Sequence, residues 1–365
     1  QSLRNLIDHL SDRITFKILT PDFDLGEKDP YPNVDRNRWT KVNGIDIYYI
    51  SKSNMTIHKI GHIIRNTKHD IRYYNSFFYP YLTVFPLLME KIGWLPKKPS
   101  VLALRGEFAP SALTEKRLKK QLFLFLNSFI NIYSNVVWQV SSPFEKEQLL
   151  KVFGQKRVKG LQIISNIPPK NAKVGDGRVS NKKKGILNLV YIGRVAKNKN
   201  LLGAITLLRG SKGRVTLDVY GPGEDKDYLQ LCLNQANQLP ENVVVNFHGP
   251  VEHKEIINLL RQNDFLFFPS LGENFGHIIL ESLISGTPAI ISDRTPWQDL
   301  EKYEAGWVID LEDKNKFNEV VNHCVQMDKP EHQTYCDGAL KKAKQYLEDT
   351  RIVEETYQMF TGLLK

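Results

Sequence analysis

From residue 186 onward the chain repeats one pattern, and that repetition restricts the fold more than any other feature. Short apolar runs recur over 187–192, 215–220, 243–247, 265–269, 289–292 and 307–309. Stretches with helical period separate them, near 200–209, 225–238, 253–262, 275–285 and 314–327. Strand, helix and strand at this spacing predict a doubly wound parallel sheet, because a parallel neighbour is reached only through a crossover. Ligands in such sheets lie beyond the carboxyl ends of the strands. The loops at those ends are therefore where chemistry is sought.

The N-terminal half is less regular. Leu3, Leu6, Ile7 and Leu10 share a helix face, and a strand-like run follows over 14–20. A polar loop rich in Pro and Asp covers 21–37, a short strand 45–50, and an aromatic segment 73–81 whose rings read as core packing ahead of a sugar platform. The run at 101–104 predicts a strand ending at Arg105 and Glu107; a helix is expected over 114–132 and a strand over 135–140. Ser142 ahead of Pro143 is a good N-cap for the next helix. Prolines, glycines and like charges then mark a linker. The expected division is a domain over 1–166, a linker over 167–185, a second domain over 186–345 and a closing helical segment over 346–365 that crosses back to the first domain.

Composition excludes several classes. At 365 residues, 41% hydrophobic and 25% charged, the chain can bury sizeable cores, so disorder is not its main character. Cys232, Cys324 and Cys336 are odd in number and unpaired in spacing, as expected of reduced thiols in a cytosol. No run reaches the roughly 18 apolar residues of a membrane span, and no signal peptide is expected at the start. The net charge of +10 is local: residues 91–120 and 151–184 together carry +15, leaving −5 for the rest. Such patches attract anions, among them lipid headgroups and phosphorylated substrates. Nucleic acid is not an expected partner, since aromatic residues do not alternate with the charges and no binding signature is present. Lys116, Arg117, Lys119 and Lys120 open the helix expected over 114–132, and Leu122, Phe123, Leu124, Phe125 and Leu126 follow. With Lys97 and Lys98 they suit an anionic membrane surface; a core helix with a solvated basic start is the other reading.

Three groups of strand-end loops carry candidate chemistry. In the loop over 191–200, Gly193 lets the backbone turn, Arg194 follows, and Lys199 stands at the mouth of the next helix. A guanidinium fork and a point-charge ammonium together suit a diphosphate, although two solvated basic residues would look the same. In the loop over 267–281, Gly272 and Gly276 bracket Glu273, Asn274 and Phe275, and Glu281 lies two turns into the following helix. The amides of Asn274, Phe275 and Gly276 form a helix N-terminus, and the two carboxylates are acceptors for sugar hydroxyls. Electrostatic capping by Glu273 with an exposed Glu281 is the alternative. The runs over 219–225 and 246–255 place glycine directly after a strand, Gly221 among them, where backbone can approach a ligand closely.

Jointly these loops resemble the retaining glycosyltransferases of family 4. Glu273 and Glu281 match that family's Glu-x7-Glu motif, Arg194 and Lys199 its Arg-x4-Lys pair, and the run over 272–293 its surrounding pattern. In the N-terminal half the resemblance extends to 104–120, similar to members that elongate bacterial surface glycans. It implies an α/β fold of GT-B type, two facing Rossmann-like doubly wound domains with parallel sheets. It implies a donor that is a nucleoside-diphosphate sugar, UDP or GDP, and transfer to a glycan or lipid-linked saccharide in surface polysaccharide synthesis at the inner face of a bacterial plasma membrane. Arg194 and Lys199 would neutralise the leaving diphosphate, Glu281 would meet the ribose, Glu273 with the amides of Asn274 to Gly276 the transferred sugar, and the backbone around Val251 the base. Neither metal nor cofactor is implied. Arg105 and Glu107 are nominated for the acceptor side or the domain interface. The family also carries a first strand and glycine-rich loop ahead of its first helix, whereas the chain opens at the helix, so truncation or loss of that loop is expected. A non-catalytic nucleotide-sugar-binding or scaffold protein of a membrane glycan-assembly complex is the alternative function.

Overall fold

A computed structural model describes residues 2–23, 29–109, 112–113, 117–175 and 177–364. The chain divides into two compact units, the first built from Gln1–Phe108, Leu113–Lys170 and Thr350–Lys365, the second mainly from Asn171–Asp349.

The first unit opens with the helix Ser2–Leu10, which buries Leu6, Ile7 and Leu10 as its apolar spacing requires. Two sheets follow. Strands β1 (Lys17–Pro21), β2 (Trp39–Val42) and β3 (Ile45–Ile50) form a three-stranded sheet in the order β1-β3-β2, and β2 runs antiparallel to β3. Strands β4 (Arg72–Tyr74), β5 (Ser100–Ala103), β6 (Val136–Val140) and β7 (Leu161–Ile163) form a parallel sheet in sequence order. The all-parallel sheet expected here is thus joined by a mixed one. The antiparallel strand arises because Asn43 and Gly44, both at positive φ, close a tight turn between β2 and β3.

Aromatic residues fill the core under β5 and β6. Phe77 is fully buried, stacks on Tyr133 and Trp138 with ring centroids 4.3 and 6.1 Å apart, and meets Phe108 tilted at 4.8 Å and Phe153 edge-on at 5.4 Å. The core assignment of the aromatic segment therefore holds. Ser142 caps the helix Pro143–Phe153 by accepting the Glu145 amide proton. Thr114 and Lys116, where the basic helix was expected to begin, lie outside the described residues; the helix runs over Arg117–Ile130. The last helix, Arg351–Gly362, packs in this unit: Arg13 pairs with Glu354 at 2.7 Å and lies 3.4 Å over the Tyr357 ring.

The second unit holds a six-stranded parallel sheet. Its strands are β8 (Ile186–Ile192), β9 (Arg214–Tyr220), β10 (Val243–Gly249), β11 (Phe265–Phe268), β12 (Ala289–Ser292) and β13 (Gly306–Ile309), in the order β10-β9-β8-β11-β12-β13. β11 and β12 are buried along their whole length, which only a strand covered on both faces requires, and their unbroken apolar sequence matches. The order of the six strands reverses between β8 and β11. That reversal leaves a crevice at their carboxyl ends, because the crossover helices leave to opposite faces there. Asp225 and Asp313 cap the helices Lys226–Ala236 and Lys314–Gln326. Asp328 caps Lys329–Leu347, the longest helix described and one the apolar pattern did not mark.

Candidate functional site

The loops that follow β8 and β11 meet at this reversal. After Ile192 the chain turns through Gly193 and Arg194 into a short 3-10 turn, Lys197–Lys199, and Asn200 adopts a left-handed conformation (φ +57°) before the helix Leu201–Leu207. The Asn200 side-chain amide donates to the Pro269 carbonyl at 2.8 Å, and the Leu271 amide donates to the Asn198 carbonyl at 3.1 Å. Two loops 70 residues apart in sequence are thereby held at a fixed spacing.

Across that seam Lys199 Nζ donates to both carboxylate oxygens of Glu273, at 2.7 and 2.9 Å. The Glu273 carboxylate is only 8% exposed. The Ser270 hydroxyl lies 2.8 Å from its Oε1, Ser292 Oγ donates to the Ser270 carbonyl at 2.6 Å, and the Glu273 amide donates to the Arg294 carbonyl at 2.9 Å. Glu273 is thus fixed from the ends of three strands, β8, β11 and β12. Arg194 stands on the same loop as Lys199, but its side chain is exposed and makes no ion pair or hydrogen bond among the described residues.

Gly276 is left-handed (φ +75°) and precedes the helix His277–Ile284. Among the described residues no acceptor meets the amides of Phe275 and Gly276, so both remain available as donors. The Phe275 ring itself turns into the core against Trp297, whose indole N–H donates to the Phe275 carbonyl at 2.6 Å. Only the backbone of Phe275 can therefore serve a ligand. Glu281 projects one turn into this helix and is largely buried; His253 Nε2 lies 2.9 Å from its Oε1. His253 belongs to the loop after β10 that also carries Val251, which is half-buried against the sheet's core.

Backbone bonds join the remaining loop ends. The Gly193 amide donates to the Tyr220 carbonyl, the Val195 amide to the Pro222 carbonyl and the Gly221 amide to the Gly249 carbonyl, all at 2.8–2.9 Å. A Cβ on Gly221 would fall 1.9 Å from the Gly193 oxygen, so this approach needs glycine. One connected rim of β8, β9, β10 and β11 ends thus carries Gly193, Arg194, Lys199, Gly221, Val251, Glu273 and Glu281. Ser270, Asn200, Ser292 and His253 complete it. Sequence reasoning passed over these four because each is a common polar residue in a loop, and only the fold shows which carboxylate or carbonyl it reaches.

Arg105 and Glu107 belong to the first unit and are heavily engaged there. Arg105 (φ +53°) donates to Asn75 Oδ1 at 2.8 Å, to the Tyr73 hydroxyl at 2.7 Å and to Asn166. Glu107 accepts the Ser76 hydroxyl at 2.7 Å and the Phe77 amide, and burial pushes its carboxyl above the ordinary range. Both tie the end of β5 to the segment after β4. Among the described residues no group of three or more His, Cys, Asp or Glu is placed to hold a metal ion. No described helix is long and apolar enough to cross a membrane. The three cysteines are buried free thiols.

Residues 176–341 match the family described as glycosyl transferases group 1. Glycogen synthase of Mycobacterium tuberculosis is 31% identical over 112 residues, 30% of this chain and 26% of the relative. An uncharacterized protein in the cps region of Klebsiella pneumoniae is 24% identical over 220 residues, 57% of this chain and 56% of the relative. The chain thus matches about a quarter of the first relative's length and about half of the second's. The crystal structure of Anabaena HepE in complex with UDP and glucose is similar at a TM-score of 0.71 and 15% identity, covering 99% of this chain and 95% of that one. Sucrose-phosphate synthase from Thermosynechococcus elongatus gives 0.69 and 14%, covering 99% and 92%. These likenesses establish the fold as GT-B, with parallel sheets in both Rossmann-like units. Through residues 176–341 the chain is similar to the glycosyl transferases group 1 family.

Proposed function

We propose that the chain is a retaining glycosyltransferase that moves a sugar from a nucleoside-diphosphate sugar, UDP or GDP, to a glycan or lipid-linked acceptor in bacterial surface polysaccharide synthesis. The observation that carries this reading is the bidentate contact of Lys199 with Glu273 at the reversal of strand order. A cation and an acid fixed side by side there can divide a sugar diphosphate between them: the ammonium takes the diphosphate and the carboxylate the sugar hydroxyls. Arg194, exposed and without a partner among the described residues, supplies a second cation for the leaving group. The Phe275 and Gly276 amides, with Asn274, hold the transferred sugar; Glu281 takes the ribose, the Val251 backbone the base, and Gly193 and Gly221 the close backbone approach. HepE was solved with UDP and glucose, and the Klebsiella relative lies in a cps region; both favour this donor and this role.

In the transfer the bond from the anomeric carbon to the diphosphate oxygen breaks and a bond from the acceptor hydroxyl oxygen forms on the same face. The hydroxyl proton passes to the departing diphosphate. Glu273, neutralised by Lys199, is a poor nucleophile, which favours front-side displacement over a covalent intermediate. Two cations perform the charge neutralisation, so no divalent metal is required, and a chelator is expected to leave the rate unchanged. Arg105 and Glu107 shape the acceptor side by holding the strand ends they bind. The enzyme works on the cytosolic face of an anionic membrane, where a lipid-linked acceptor resides.

A thermal-shift series against UDP-, GDP- and ADP-sugars tests the donor. A donor at a hundred times its Kd adds about 2.7 kcal/mol of stability. Product formation from the donor that shifts the transition tests transfer and separates an enzyme from a binding or scaffold protein. No shift with any of the three defeats the proposal.

A further inference from the structure

The helix Arg117–Ile130 is apolar on its outward face as well as its inward one. Its inward face holds Phe123, Leu124 and the buried Asn127, whose side-chain oxygen accepts the Ile132 amide proton at 3.0 Å. Its outward face is apolar: Leu118 is 82% exposed, Leu122 59%, Phe125 60% and Phe129 74%, with Leu126 and Ile130 exposed beside them. These positions recur at i, i+4, i+7, i+8, i+11 and i+12, which makes one continuous stripe about 20 Å long. Phe125 and Phe129 meet edge to face at 5.1 Å. Six large apolar side chains on one exposed stripe exceed the scattered exposure normal for a water-facing surface.

The charges around the stripe say what covers it. The helix contains no acidic residue. By helical period Arg117 and Lys119 lie roughly 100° to either side of Leu118, at the two edges of the stripe, where long basic side chains reach headgroups while their stems lie on apolar surface. Lys120 stands 5.0 Å over the Phe78 ring. At the other end Lys91 donates to the Asn131 carbonyl at 3.0 Å, and the adjoining Ile92 is exposed. Cations thus border the apolar stripe at both ends. A second copy of this chain would set these cations against their like, and a soluble protein partner has no reason to need cations at both ends of its contact. An anionic bilayer interface meets both needs at once.

We propose that this helix face is a membrane-docking surface: the stripe of Leu118, Leu122, Phe125 and Phe129 enters the headgroup–acyl boundary of an anionic bilayer while Arg117, Lys119 and Lys91 pair with headgroup phosphates. The placement of a lipid-linked acceptor rests on the transfer reaction proposed above; the docking surface does not.

Flotation with vesicles of phosphatidylcholine alone, or of phosphatidylcholine mixed with phosphatidylglycerol, is read without donor or turnover, so docking and transfer fail separately. The full chain is expected to float with the mixed vesicles and not with phosphatidylcholine. Arg117→Gln with Lys119→Gln is expected to weaken binding about thirtyfold, and added salt to weaken it further. Leu122→Ser with Phe125→Ser and Phe129→Ser is expected to abolish flotation; all three side chains are exposed, and an unchanged melting temperature shows that the fold survives. Absence of flotation with either vesicle, equal flotation with both, or undiminished flotation of the serine variant overturns the proposal. So does self-association of the full chain that the serine variant abolishes.

Discussion

Lys199→Ala separates a structural lysine from one that serves a leaving group. The substitution strips the cation from a carboxylate that is 8% exposed. Two unit charges about 4 Å apart near a protein surface attract by roughly 4 kcal/mol, and orphaning one member of a buried pair costs about 3–5 kcal/mol. Lys199 keeps one-fifth of its side chain in solvent and the Ser270 hydroxyl still reaches Glu273, so a loss of about 2–3 kcal/mol is expected. For a unit of this size that lowers the melting temperature by roughly 4–12 °C. Turnover with the responsive donor is expected to fall about 10²–10³-fold, the effect of removing one group that meets developing charge. Adding Glu273→Ala removes the orphaned carboxylate. Most of the lost stability should return, while turnover stays low. Calorimetry and a radiolabelled-donor transfer assay on wild type, both single variants and the double variant give the full cycle. Near-normal turnover in Lys199→Ala, or turnover regained together with stability in the double variant, refutes the leaving-group role.

Glu281→Gln should weaken donor binding about tenfold or more in titration calorimetry, because a charged acceptor for the ribose is lost; an unchanged Kd would remove Glu281 from the site. Gly221→Ala places a methyl group 1.9 Å from the Gly193 oxygen at φ +147°, so a loss of about 2 kcal/mol or more in urea unfolding and a weakened donor shift are expected, and wild-type behaviour would show that this rim is not rigid. His332 is fully buried, and desolvation depresses its pKa to about 4. Between pH 6.5 and 4 the unfolded chain therefore binds the proton that the folded chain refuses, and stability falls with falling pH by about 3 kcal/mol over that window. His332→Asn should flatten that part of the stability profile, and an unaltered slope would assign it to other groups.

The second unit was largely legible because parallel strands buried on both faces must be apolar without interruption. β8, β9, β11, β12 and β13 lie within a residue of the expected runs. The helix Lys329–Leu347 escaped notice because its surface is polar and Gly338 interrupts it; that glycine is needed because a Cβ there would fall 2.2 Å from the Tyr303 carbonyl. The first unit was less legible for a related reason. β2 is mostly exposed, β4 and β7 are three residues long, and the helix Phe85–Lys91 follows directly on the aromatic segment; the helix Ile57–Asn66 was legible from Ile57, Ile60, Ile63 and Ile64 at helical spacing and went unread. At the candidate site the residue types and spacing indicated Lys199 and Glu273, but not that they touch. Their contact depends on Asn200 and Ser270 holding two loops together, a tertiary fact with no local signature.

The helix Arg351–Gly362 belongs to the unit that the first 170 residues build. During synthesis that unit's early segments leave the ribosome long before residues 351–362, which complete it, are made. Arg13 waits through more than 300 residues for Glu354 and Tyr357, and Tyr73 of β4 for the Phe360 ring, so the first helix and the edge strand β4 lack these partners while the later Rossmann-like unit folds. A free chain truncated after residue 349 should therefore display a protease-resistant later half and a vulnerable earlier one.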